Sequence, residues 1–80
     1  MMRVKVKVYD RCKYDPQSEK VGEAFYNINF FKIISGSEAK KIEAESDGSC
    51  IDDYHEYLVL DLEDGDTATF RNNYVDLFRD

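Results

Sequence analysis

The chain has no tryptophan, one proline, one histidine, two cysteines and four glycines among its 80 residues. Each shortage excludes something. One His and two Cys cannot fill a four-ligand zinc site with N and S donors alone, so no metal and no cofactor is expected. Cys50 and His55, with Asp52, Asp53 and Glu56 nearby, are the only residues that invite a nucleophilic reading. They come without a third orienting group or an oxyanion motif, so the chain is expected to be non-enzymatic. No apolar run approaches the roughly 20 residues of a membrane span, and Met1-Met2-Arg3-Val4-Lys5 lacks the apolar stretch of a secretory signal. The expected compartment is therefore the cytoplasm, where Cys12 and Cys50 stay reduced.

The most informative shortage is of positive charge in the second half. Residues 42–70 hold ten carboxylates and no Lys or Arg, whereas residues 1–41 hold nine of the eleven bases against five acids. The net charge of −6 thus combines a basic first half with a strongly acidic second half.

What is present makes a folded domain. A hydrophobic content of 42%, with six Tyr and five Phe, separates the chain from disordered acidic tails. Eighty residues support one core and one domain, 1–80. Arg3 to Tyr9 alternates, with Val4, Val6 and Val8 on one face and Arg3, Lys5 and Lys7 on the other, which predicts a half-buried strand. Asp10 to Lys20 holds the proline and reads as a loop. Val21 to Ile34 predicts a long strand. Its apolar phase switches between Tyr26, Ile28, Phe30 and Phe31, Ile33, which predicts either a bulge near Phe30 and Phe31 or a strand that passes from one packing partner to another.

Ser35 and Glu38 fit a capping box, and Ala39 to Glu45 is rich in helix formers, which favours a short helix ended by Gly48. The same residues also alternate, so a strand over 39–46 is the rival reading. Glu56 to Leu62 places Leu58, Leu60 and Leu62 inward and Tyr57, Val59 and Asp61 outward, and Thr67 to Arg71 is its hairpin mate. A three-residue loop with Gly65 left-handed sets Leu60 with Ala68 and Leu58 with Phe70, the register that keeps apolar residues together. Tyr74, Val75, Leu77 and Phe78 predict a final apolar turn. The expected fold is α+β: a mainly antiparallel four-stranded sheet with one helix in the order ββαββ, with a small five-stranded barrel as the alternative if 39–46 is a strand.

Three surfaces carry functional expectations. Arg3, Lys5, Lys7, Arg11 and Lys13, with Tyr9 and Tyr14 among them, have the composition of a nucleic-acid face, but the net charge of −6 opposes a polyanion. The expected alternative sets Lys5 and Lys7 opposite Asp61 and Glu63 in the sheet. Asp61 to Asp66 lacks the spacing of a calcium loop and reads as a turn. The remaining acids, Asp47, Asp52, Asp53, Glu56, Asp64 and Asp66, form the candidate partner-binding set, an acidic face able to imitate nucleic acid in a basic groove. The competing surface is aromatic, or a sheet edge serving an assembly partner or a second copy in a homodimer. No direct nucleic acid and no membrane is expected as partner.

Segments Ser35-Gly36-Ser37-Glu38-Ala39, Asp47-Gly48-Ser49-Cys50-Ile51-Asp52-Asp53 and Thr67-Ala68-Thr69-Phe70-Arg71-Asn72-Asn73-Tyr74-Val75-Asp76-Leu77-Phe78-Arg79 resemble small proteins carried by phages and integrative mobile elements of Gram-positive bacteria. The resemblance covers about half the chain and brings no functional motif. It implies a setting in which such proteins bind host proteins and some inhibit CRISPR or restriction enzymes.

Overall fold

The computed structural model describes residues 2–42 and 51–80, the side chain of Ile42 excepted. The elements are β1 (Met2–Tyr9), β2 (Lys20–Ser35), α1 (Gly36–Ile42), β3 (Glu56–Leu62), β4 (Thr67–Arg71), a 3-10 turn (Asn72–Tyr74) and β5 (Val75–Arg79). The five strands form one antiparallel sheet in the order β4-β3-β2-β1-β5. The expectation of an α+β sheet with one helix holds. The fifth strand corrects the four-strand count and makes the order ββαβββ. The C-terminal apolar residues pair along β1 instead of ending in a turn, since β1 would otherwise leave an edge of valines uncovered. β4 and β5 do not pair, so the sheet is open and the barrel alternative fails.

One irregularity in β2 organises the fold. Residues 20–28 of β2 pair with β1, and residues 28–35 pair with β3. The register shifts between Ile28 and Phe30, leaving Asn29 as the extra residue, slightly earlier than the phase switch suggested. The Asn29 side-chain Nδ2 donates to Asp61 Oδ2 at 3.2 Å, tying the bulge to β3. Bulges bend and twist a sheet, and here the bend is large. Phe70 lies level with Leu58 and Ile33, so in a flat sheet Tyr26 would be roughly 20 Å farther along β2. Their rings nevertheless meet edge to face at 5.9 Å.

The sheet is thus folded into two wings about Asn29, one of β1, β5 and the first half of β2, the other of the second half of β2, β3 and β4. The concave face holds the main core: Val4, Val6, Ile28, Leu58, Leu60 and Val75 are at most 3% exposed. Val4, Val6 and Leu60 obey the predicted alternation.

The convex face of the second wing departs from it. Tyr57 and Val59, expected outward, are each 4% exposed because they pack with Ile34 and Ala39 of the α1 layer, joined by Ile51. Ser35 caps the helix by accepting from the Glu38 amide at 3.3 Å, the Ser35 half of the expected capping box. The helix reading holds from Gly36 to Ile42; residues 43–46 lie outside the described part.

The hairpin matches the expected register, Leu60 with Ala68 and Leu58 with Phe70. The Leu62 amide donates to Asp66 O at 2.9 Å, and Gly65 sits at φ 95°. Among the described residues, no helix is long and apolar enough to cross a membrane.

Candidate functional site

Of the candidate acids, Asp47 lies outside the described residues. The other five fall into two groups at opposite ends of β3. Asp52, Asp53 and Glu56 stand where β3 begins, and Asp64 and Asp66 stand in the turn after it. Seven extended residues separate the groups by roughly 20 Å. They do not converge into one patch.

The first group is largely structural. The Asp52 carboxylate accepts from the Tyr54 amide at 2.9 Å and meets His55 Nδ1 at 2.7 Å, while Arg71 Nη2 approaches at 3.5 Å. The Asp52 amide in turn donates to the Tyr57 hydroxyl at 3.1 Å. The hydrogen bond from His55, with that from the Tyr54 amide and the charges of His55 and Arg71, holds the Asp52 carboxyl below its usual value of 3.8 against the opposing effect of desolvation. Asp53 pairs with Lys40 of α1 at 3.2 Å. Together these contacts clamp the loop before β3 onto α1 and β4. His55 is therefore engaged by a carboxylate, and Cys50, its supposed chemical partner, lies outside the described residues. Cys12 is a half-buried thiol. Among the described residues, no three His, Cys, Asp or Glu side chains gather to hold a metal ion.

The second group has a different character. Glu63, Asp64 and Asp66 are exposed at the hairpin tip and make no ion pair with any described residue. The Asp64 carboxylate accepts from the Asp66 amide at 2.9 Å, closing the turn. A shallow cavity of about 270 Å³ beside them is lined by Phe25, Tyr26, Asn27, Leu62, Glu63 and Asp64.

The basic strand is not neutralised by β3. β1 lies between β2 and β5, so Lys5 stands between Phe25 and Phe78, and Lys7 between Glu23 and Asp76. This replaces the expected pairing of Lys5 and Lys7 with Asp61 and Glu63, because the chain returns at its C-terminus to occupy the place beside β1. Lys5 binds Glu23 at 3.3 Å, Lys20 binds Glu23 at 2.7 Å, and Lys13 binds Asp76 at 3.3 Å. The bonds from Lys20 and Lys5 hold the Glu23 carboxyl below its ordinary value. Donation from Tyr9 to Asp76 at 2.9 Å raises the phenol. Arg3 lies over Phe25 at 4.7 Å and Lys7 over Phe78 at 5.1 Å.

Every ion pair among the described residues joins groups of the same wing. In the first wing and its loop, residues 2–28 and 75–80, seven bases face six acids, a net +1. The described residues of the second, 29–42 and 51–74, carry four bases against eight acids, a net −4. The excess acid is therefore one-sided.

Large apolar side chains are exposed on both wings, Val21, Phe25 and Phe78 on the first among them. Phe30 is 52% exposed, Phe31 41% and Ile33 51%, all on the second half of β2. Sequence reading placed them in a strand but did not single them out. The signal was available: apolar residues on both parities of one strand cannot all face a single core.

Comparison of the chain with protein-family models, with curated proteins and with solved structures finds no match.

Proposed function

We propose that this chain is a non-enzymatic acidic binding protein whose second wing occupies a basic, nucleic-acid-binding groove of a host enzyme, in the manner of a mobile-element inhibitor of CRISPR or restriction enzymes. The observation that carries the reading is the separation of charge: no described ion pair crosses between the wings, so the net −4 of the second wing is left to face solvent or a partner. The hairpin tip supplies carboxylates that make no ion pair with any described residue. The two acidic groups, roughly 20 Å apart along β3, span a length that about six phosphates occupy along one DNA strand. Charge placed this way accelerates association with a basic surface and makes binding salt-sensitive.

The test neutralises the tip alone, with Glu63→Gln, Asp64→Asn and Asp66→Asn combined, because changing Asp52 or Asp53 would also loosen the loop clamp. Binding to a nucleic-acid enzyme of the host should weaken in this variant, fall with added salt and yield to duplex DNA. Binding that ignores all three perturbations would reject the reading.

A second reading has its own observation. The exposed Phe30, Phe31 and Ile33 suit a protein contact made by apolar surface and sheet edge. Such binding would survive high salt and fail on substitution of those residues.

A further inference from the structure

β2 is only half enclosed. β1 begins beside Ile28, so from Phe30 to Ile34 the strand pairs with β3 on one side and with no described strand on the other. Phe30-Phe31-Lys32-Ile33-Ile34 has high β propensity, a single charge and neither Pro nor Gly, the composition most prone to recruit another strand. The other outer strands are better guarded, β4 by Thr67, Thr69 and Arg71 and β5 by Asp76 and Arg79.

We propose that the open edge of β2 from Phe30 to Ile34 receives an extended segment of a protein partner as an added strand, apolar at alternate positions and basic at the others. Its apolar side chains would continue the row of Phe31 and Ile33, and its backbone would pair with the amides and carbonyls that no described strand meets. The basic character follows from the surroundings. A shallow groove of about 220 Å³ over β2, β3 and β4 is lined by Phe30, Lys32, Val59, Asp61 and Thr67, so Lys32 offsets Asp61 locally, and what favours a basic segment is the net −4 of the described residues of this wing. An added strand would also lie about 10 Å from β3, close to one Debye length from Glu56 and Glu63 at its two ends. A second copy of this chain fits less well, because two-fold pairing would bring together two wings of net −4 each. The inference rests on the reading of the chain as a binding protein and adds a mode of contact.

The experiment titrates the full chain with a fluorescein-labelled peptide of about ten residues alternating valine and lysine, with a valine and glutamate peptide as comparison, and follows amide exchange by NMR. The lysine peptide should bind in preference and protect amides between Phe30 and Ile34. The double variant Phe31→Ser, Ile33→Ser should stay folded by circular dichroism and bind about tenfold more weakly or worse. Phe78→Ser, on the other wing, should bind unchanged. Equal binding of both peptides, absence of binding, unchanged protection at 30–34, or a wild-type dimer in sedimentation that the double variant abolishes would each overturn the proposal. If the double variant keeps the host partner while the neutralised tip loses it, the edge proposal fails and the acidic reading stands.

Discussion

Replacing Gly36 with Ala sets helix propensity against packing, and the structure decides which wins. Gly36 is the buried first residue of α1, directly after β2. A Cβ there would penetrate the Asp52 carbonyl oxygen and lie 2.8 Å from that carbonyl carbon and 3.0 Å from Asp53 Cα. All three obstacles are backbone, so no rotamer change relieves them. Alanine gains at most about 1 kcal/mol over glycine in a helix and less at its first turn. Forcing atoms into a packed junction costs about 1–3 kcal/mol, more when backbone must move. Displacing residues 52 and 53 also draws Asp52 away from His55 and Arg71, and Asp53 away from Lys40. The net expectation is a loss of about 1–2 kcal/mol, which for a domain of this size lowers Tm by roughly 5–15 °C. Thermal unfolding followed by circular dichroism measures it. A Tm equal to or above that of the parent would show that the loop does not rest on Gly36 as described.

Other expectations are simpler. Leu60→Ala empties a fully buried position in β3 and should cost about 2–5 kcal/mol in denaturant unfolding; a cost under 1 kcal/mol would mean the concave core is not closed. Gly65→Ala meets no atom within 4 Å but must hold φ 95°, so it should cost about 1–2 kcal/mol from conformation alone. The Asp52 carboxyl is held low by its hydrogen bonds in the folded state, so its contribution is complete above its ordinary value of 3.8 and is lost as pH falls through the lower folded value. Acid should therefore release the loop at 52–55 before the sheet unfolds, seen as movement of the Tyr54 amide resonance, and Asp52→Asn should weaken the same clamp at neutral pH. A Tyr54 resonance that shifts only with global unfolding would contradict this.

The parts of the fold legible in sequence are those set by local chemistry. Val4 and Val6 alternate, Gly65 selects the hairpin register, and Ser35 with Glu38 marks the helix start. What escaped was set by distant parts of the chain. Val75 and Leu77 alternate too briefly to declare a strand, Phe78 falls on the opposite parity, and only the open side of β1 makes 75–79 one. Tyr57 and Val59 look solvent-facing until α1 folds over them. The ionic partners of Lys5 and Lys7 depend on strand order, which charge pattern alone does not encode. The candidate acids were found as residues, but their division into a clamp around Asp52 and a tip at Asp64 and Asp66 with no ion pair to a described residue required the positions of His55, Arg71 and Lys40, and Glu63, expected to pair with β1, joins that tip.

The most direct test of the acidic wing compares the wild-type chain with the Glu63→Gln, Asp64→Asn, Asp66→Asn variant in binding a basic-grooved nucleic-acid enzyme of the host, at low and high salt and with duplex DNA as competitor. Wild-type binding should weaken with salt, be displaced by DNA and be clearly reduced in the variant. Equal, salt-independent binding of the two chains would contradict the acidic-wing reading.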